Sequence, residues 1–452
     1  MFIIDKQTQS DLSVFKREDG LCELFDSTRT VGGAGILREF FYSPLSSVLE
    51  IQSRQRAIQY MAKINLEQFL DKFMFDDLES YLRLPNEPYS ASKIAHYIDN
   101  LSIAPASLRY QRERLLISRS ISEIAGLIVC LNNIFDNGGG EQQDDLVSRC
   151  GEVVTHFDIR ELDKMLSKKI SLEMVIKYDY IFRNSQKSII REVFYIFYEL
   201  DALQGIAIVS EKMQLTFPIF EQDGDAKRML VINGSYNPFL KNPVKNDVRV
   251  EAEKNIWFLT GANMTGKSTI LKTIGIAVYL AHIGFPVPAD SMITRFHAGL
   301  LTTINLGDDI KKGHSHFFSE IFRLKFMAET LQSRGRIVVI VDELFKGTNY
   351  DDAYQATVEL LGLLANYKDS IFLISSHLTD VVKDLECNRI AFKYLLTHIR
   401  DDRKIDFTYK LETGIARERL GMKLLEGEKI FELLRNHHRS SAADGKLIKI
   451  DV

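Results

Sequence analysis

The sequence predicts a multidomain chain, an all-α region followed by an α/β region, and three observations predict it. The nine prolines leave the 112 residues between Pro105 and Pro218 uninterrupted. Proline costs about 3 kcal/mol inside a helix, so long helices are permitted there. Beyond Pro218, short β-rich runs come to alternate with helical patterns of roughly 15 residues, the texture of a parallel sheet with crossover helices. Between one such run and one such helix lies the octapeptide Gly261 to Ser268, of the form G-x-x-x-x-G-K-[ST].

Composition narrows the class. A chain of 452 residues suggests two to three domains at about 150 residues each. The net charge of −4 excludes a strongly basic nucleic-acid arm and an acidic tail protein. Cys22, Cys130, Cys150 and Cys387 are scattered with no CxxC pair, which argues against a zinc knuckle or a disulfide scaffold and for a reduced, cytoplasmic setting. The N-terminus, MFIIDKQTQSDL, sets an acid and polar residues directly after a short apolar start, unlike a signal peptide. The longest apolar runs, such as Ile274–Ala281, fall short of the ~20 residues that span a bilayer, so no membrane partner is expected.

In the proline-free span, Ala106–Phe135 and Ile170–Met213 carry apolar residues at mixed spacings of three and four, for example Ile190, Val193, Ile196, Phe197, Leu200, Leu203 and Ile206. This periodicity predicts two long helices, joined through Asp136–Gly151 and a shorter helical stretch. Strands are expected at Met229–Ile232, Asn255–Thr260, Ile337–Val341 and Ser370–Ser375. The boundary between the two textures falls between residues 215 and 230.

The octapeptide carries the chemistry. Glycines let a backbone fold round a phosphate chain, while successive N–H groups and the helix N-terminus present positive potential to it. Gly261, Ala262, Asn263, Met264, Thr265, Gly266, Lys267, Ser268 and Thr269 are the candidate nucleotide-binding residues. Lys267 would reach the β- and γ-phosphates, and Ser268 would hold Mg²⁺. The apolar strand Ile337–Val341 runs into Asp342 and Glu343, 75 residues beyond Lys267. Asp342 would enter the Mg²⁺ shell, and Glu343 would polarise an attacking water as general base. A further apolar strand closes on His377.

Together these residues resemble the MutS family, the mismatch-repair branch of the ABC-type ATPases. TGANMTGKST at residues 260–269 is similar to the family's TGPNMGGKST. GDDIKKGHSHFF matches its DD-x3-G-x-S-x-F signature loop through Asp308, Asp309, Gly313, Ser315 and Phe317. DELFKGTNYDD resembles the DE-x-x-x-GT element, and ISSHLTD the T-H-x-x-E-L strand. Further upstream, IDKQTQSDLSVF, DSTRTVGGAGILREFF and ELDALQGIAIVSE look like parts of the family's helical core domain and long lever helix. The resemblance implies an all-α core/lever domain over residues 1–220, with the DNA-gripping clamp reduced or absent, then an ABC-type P-loop ATPase domain over residues 221–452. It implies an Mg²⁺-dependent ATPase with ATP as ligand and His377 as γ-phosphate sensor. It also implies a homodimer in which Gly313 and Ser315 of one subunit complete the other's site, and a cytoplasmic, nucleoid-associated place beside DNA.

Departures accompany the likeness. The core pattern begins at residue 3, so the family's mismatch-reading and connector domains are expected to be missing. Phe197-Tyr198-Glu199-Leu200 repeats the letters of the mismatch wedge, but it lies in the helical span, where Phe197 and Leu200 are expected in the core. The family's adenine-stacking aromatic falls at Pro243, Ala262 replaces a proline and His316 a threonine. The cargo expected is DNA held through its backbone, with Arg109, Arg112, Arg114, Arg119, Arg183, Lys187 and Arg191 as candidate phosphate contacts on the long helices. The alternative is a mechanical ATPase working on stalled ribosomes or another ribonucleoprotein.

Overall fold

The computed structural model describes residues 2–84, 108–137, 145–168, 170–221, 228–262, 264–304, 316–385, 388–399, 405–416, 430–431 and 433–434. The chain divides into two compact units. One is helical, Lys16–Gln214 with Ile283–Phe285, and the other is α/β, Met1–Phe15 with Leu215–His282 and Pro286–Val452. In chain order the helices are α1 (Lys6–Asp11), α2 (Leu21–Leu24), α3 (Val31–Tyr42), α4 (Val48–Met61), α5 (Lys72–Leu82), α6 (Leu108–Asn137), α7 (Asp145–Val154), α8 (Ile159–Leu166), α9 (Leu172–Tyr180) and α10 (Lys187–Met213). The α/β unit, to which α1 also belongs, adds α11 (Lys267–His282), α12 (His316–Arg334) and α13 (Tyr350–Leu364).

The helical unit is built round α6 and α10. Phe75, Phe194, Phe197 and Leu200 are all buried within it, so the wedge-like tetrapeptide is core. Asp201 of α10 accepts from the backbone N–H groups of Arg29 and Thr30 and from the Thr30 hydroxyl. Thr30 in turn caps α3 by accepting from Gly33 N–H, one of the orphan donors a helix start leaves. A Cβ on Gly33 would fall 2.1 Å from the Asp201 carboxylate, so the close approach of α3 to α10 requires glycine there.

The periodicity predicts one helix over Ile170–Met213, and here the structure differs. A π turn at Ile181–Ser185 separates α9 from α10. Its wider winding turns Arg183 inward, where it donates to both oxygens of Asp179. Arg183 is therefore buried and does not share a solvated face with Lys187 and Arg191, as the four-residue spacing suggested.

The α/β unit contains β1 (Ile3–Ile4), β2 (Ile219–Phe220), β3 (Arg228–Ser235), β4 (Asn246–Glu251), β5 (Ile256–Thr260), β6 (Ser291–Thr294), β7 (Gly299–Thr303), β8 (Ile337–Val341), β9 (Ile371–Ser376), β10 (Ile390–Ile399) and β11 (Ile405–Thr413). Seven of these form a sheet in the order β1-β7-β8-β9-β5-β10-β11. Its pairings are parallel except for the β10–β11 hairpin. β5, β8 and β9 are buried along their whole length, as strands covered on both faces must be, which is why they read as unbroken apolar runs. A smaller sheet has the order β2-β6-β3-β4.

Residues 1–15 and 215–220 belong to this α/β unit, whereas a division at 220/221 assigns them to the helical part. β1 pairs in parallel with β7, and a two-residue strand is too short to show a period. Composition also understates two helices. Leu115–Asn137 and Lys187–Met213 are long and apolar enough to cross a bilayer, with 50% and 72% of their apolar windows buried inside the protein. That apolarity comes from charge-poor stretches whose polar residues break any continuous run.

Candidate functional site

The octapeptide turns sharply between β5 and α11. Gly261 (φ +145°) and Gly266 (φ +100°) occupy backbone that only glycine adopts at ease, and Met264 (φ +71°) is drawn into the left-handed region between them. Thr265 closes the turn, its hydroxyl donating to Ala262 O at 2.9 Å. Lys267 is buried and its ammonium curls back to donate to Gly261 O (2.8 Å) and Ala262 O (3.0 Å). Burial pulls the Lys267 pKa down, and the negative charge of Glu343 and Asp342 pushes against that. Ser268 and Thr269, in the first turn of α11, are exposed. Asn263 lies outside the described residues.

The carboxylates enter from the sheet edge. β9 stands between β5 and β8, so it is the end of β9 that links them. Ser375 Oγ donates to Asp342 Oδ1 and accepts from Glu343 N–H at 2.9 Å. Glu343 takes φ +55°, a costly conformation for a bulky residue that persists only where its neighbours enforce it. His377 Nε2 lies 2.8 Å from Glu343 Oε1, and Lys346 Nζ lies 2.5 Å from Oε2. Burial raises the Glu343 pKa, but the hydrogen bonds from Lys346 and His377 outweigh it and hold the carboxyl below its ordinary value. The candidate base is thus ionised and held at both oxygens.

The donor set suits Mg²⁺ only in company with phosphates. Among the described residues no group of three or more His, Cys, Asp or Glu side chains could cage a metal. Mg²⁺ takes one or two protein oxygens plus phosphate and water, and Ser268 with Asp342 offers such a pair.

A cavity of about 360 Å³ opens beside Gly266 and Thr269. Pro243 lines it, as do Tyr236 and Tyr409. Tyr409 comes so near the loop that a Cβ on Gly266 would lie 3.2 Å from its ring. Asn246 fixes this arrangement, donating to Tyr409 O (3.0 Å) and accepting from Leu411 N–H (2.8 Å). Ser235, fully buried at the cavity wall, has a hydroxyl with no hydrogen-bond partner among the described residues. Sequence reading missed Tyr409 because it sits on the distant β11, and only the hairpin with β10 folds it back to the loop.

Asp308, Asp309, Gly313 and Ser315 lie outside the described residues, while Phe317 packs against Gly347. Arg119 pairs with Glu123 on its own helix at 2.7 Å. The side chains of Arg109, Arg112 and Arg114 also lie outside the described set.

A parallel sheet whose strand ends present a glycine loop with a buried lysine, an Asp-Glu pair and a histidine defines a P-loop nucleotide-binding protein. Residues 257–434 match the family described as MutS domain V. The chain is 29% identical to the DNA mismatch repair protein MutS of Geobacillus sp. over 50% of its own length and 26% of that protein's. It is 29% identical to MutS protein homolog 4 of Mus musculus, covering 44% of this chain and 22% of the relative. A 22% identical match to the DNA mismatch repair protein MutS of Pseudothermotoga lettingae covers 93% of the chain and 62% of that protein. Residues 257–434 thus match MutS domain V, and the chain is similar to MutS proteins along most of its length. It spans between 22% and 62% of the length of these relatives.

Proposed function

We propose that this chain is a DNA-binding MutS-like ATPase of DNA repair or recombination, working as a nucleotide-switched homodimer. One observation carries the ATPase reading. The sheet edge joins Glu343 to His377 at 2.8 Å beside a glycine loop whose lysine already senses the charge of both Asp342 and Glu343.

On this reading Lys267 exchanges the Gly261 and Ala262 carbonyls for β- and γ-phosphate oxygens, and the backbone N–H groups of the loop close on the phosphate chain. Ser268 and Asp342 would hold Mg²⁺, which would supply charge neutralisation at the phosphates. Glu343 accepts a proton from the attacking water, and His377 orients Glu343 and faces the γ-phosphate. Tyr409 supplies the aromatic wall for the base in place of the aromatic that Pro243 lacks. Met264, exposed at the loop tip, covers the phosphates.

Gly313 and Ser315 act on the partner subunit's nucleotide, giving a C₂ dimer with two composite sites. A nucleotide gripped by both subunits binds the closed dimer more tightly, so binding shifts that equilibrium and hydrolysis releases it. The helical unit serves as core and lever, and the α/β unit as an ABC-type motor. Charge lends the DNA reading little, since Arg183 is buried and Arg119 is paired. It rests on the family and on Lys187 and Arg191.

ATP hydrolysis by the purified chain tests the first part. Glu343→Gln should bind ATP yet lose about 10²- to 10⁴-fold in turnover, and wild-type turnover in that variant would remove Glu343 from its role. Gel shifts at several salt concentrations test the second. Binding to duplex, junction or single-stranded DNA should fall as salt rises, and no shift in any nucleotide state would overturn it.

A further inference from the structure

The segment between the base and Gly347 is bent against its own preference. Glu343 (φ +55°) and Phe345 (φ +59°) both take left-handed backbone, which bulky side chains avoid. Two anchors hold this bend from opposite sides. From β9, the Ser375 hydroxyl accepts from Glu343 N–H, and Ser375 O accepts from Leu344 N–H at 3.2 Å. From α12, the carboxylate of Glu320 accepts from Phe345 N–H at 2.5 Å. Glu320 is 4% exposed, and a buried carboxylate is retained only where its hydrogen bonds justify the desolvation.

α12 itself is a stiff support. One turn beyond Glu320, Arg323 donates to Thr302 O at 2.7 Å on β7 and pairs with Asp5. Its first turn presses on the same bend through Phe317. A methyl group on Gly347 would fall 2.9 Å from Phe317 Cβ and 3.0 Å from its backbone nitrogen. The residues immediately before α12 are those of the loop carrying Gly313 and Ser315.

We propose that Glu320 is a positioning residue for Glu343, through which α12 sets the base. This rests on the assignment of Glu343 as base. Glu320 touches no reacting atom. It holds Phe345 N–H, that bond holds the bend, and the bend aims the Glu343 carboxylate at the water.

The experiment compares steady-state ATP hydrolysis and equilibrium binding of a fluorescent ATP analogue across the full-length wild type, Glu320→Met, Glu320→Gln, Gly347→Ala and Glu343→Gln. Glu320→Met keeps the volume and removes the acceptor, and should lower kcat about tenfold to a hundredfold, the usual cost of a misplaced catalytic group. KM and analogue affinity should stay within about twofold, since the phosphate loop is untouched. Glu320→Gln keeps an acceptor oxygen and should restore kcat. Gly347→Ala pries α12 from the bend by another route and should reproduce the kcat loss. It decides the matter should Glu320→Met fail to fold. Wild-type kcat in both Glu320→Met and Gly347→Ala, or a Glu320→Gln variant as slow as Glu320→Met, overturns the proposal. So does a loss of kcat that only follows lost thermal stability and weakened nucleotide binding. If Glu343→Gln turns over like the wild type, the assignment of the base fails, and the proposal falls with it.

Discussion

Each unit of this protein contains a low-exposure acid–base cluster, and the two are built to different ends. In the helical unit Asp179 accepts from Arg183 through both oxygens, at 2.7 and 2.6 Å, and from the Tyr81 hydroxyl at 3.0 Å. The Asp179 and Arg183 side chains are 0% and 3% exposed. Burial would lower the Arg183 pKa, but hydrogen bonding to Asp179 raises it, and burial drives the Tyr81 pKa far up. In the α/β unit the Glu343 carboxylate is 19% exposed and held by His377 and Lys346, themselves 42% and 65% exposed. Its backbone is left-handed, and a cavity adjoins the neighbouring glycine loop. The first cluster spends its hydrogen-bonding capacity inward, around a π turn. The second keeps exchangeable partners at a solvent edge, where a ligand can replace them. A hydrogen-bonded carboxylate is common to both, so strain and replaceable partners are what mark a site.

Three substitutions can break or sharpen that contrast. The largest effect expected is from Asp179→Ala, which strands a buried guanidinium and should cost about 3–5 kcal/mol of stability. Denaturant unfolding would read this, and KM for ATP should not move. A variant as stable as the wild type would mean the cluster is not structural. Next, Lys267→Ala removes charge-assisted hydrogen bonds worth about 1.5–3 kcal/mol to a phosphate, so ATP should bind roughly tenfold to a hundredfold more weakly. The unfolding midpoint should barely change, and an unchanged ATP affinity would remove the glycine loop from the site.

Lys346→Met should give the smallest effect. Among the described residues, Lys346, His377 and Lys267 face Glu343 or feel its charge. Lys346 and His377 depress its pKa, so the base loses activity only as pH falls through that depressed value. Without Lys346 the folded-state pKa rises, and the acid limb of the kcat–pH profile moves to higher pH. Lys346 is well exposed, so the move should be under about one pH unit and shrink with added salt. A limb that stays in place would show that Lys346 is a bystander.

Much of the site was legible because it is local. The octapeptide, the Asp342-Glu343 pair and His377 each follow an apolar run, and in a parallel sheet strand ends gather at one edge. Tyr409, Ser235, Lys346 and Glu320 were not legible. Glu320 reads as a charge on an amphipathic helix until Phe345 N–H is found against it. Arg183 misled for a related reason. Its four-residue spacing to Lys187 and Arg191 assumed an unbroken helix, and the π turn breaks that count.

The sequence by itself determined the long helices and the apolar strands β5, β8 and β9, because proline placement and apolar spacing act within one turn or one strand. It also determined that a glycine loop of the G-x-x-x-x-G-K-[ST] form precedes an acidic strand end. Only the tertiary structure decided that β1 joins the far edge of the sheet, that β9 separates β5 from β8 and that α12 buttresses the bend after Glu343. Those choices depend on contacts between segments far apart in the chain, whose energies appear only once the backbone has closed the loops between them.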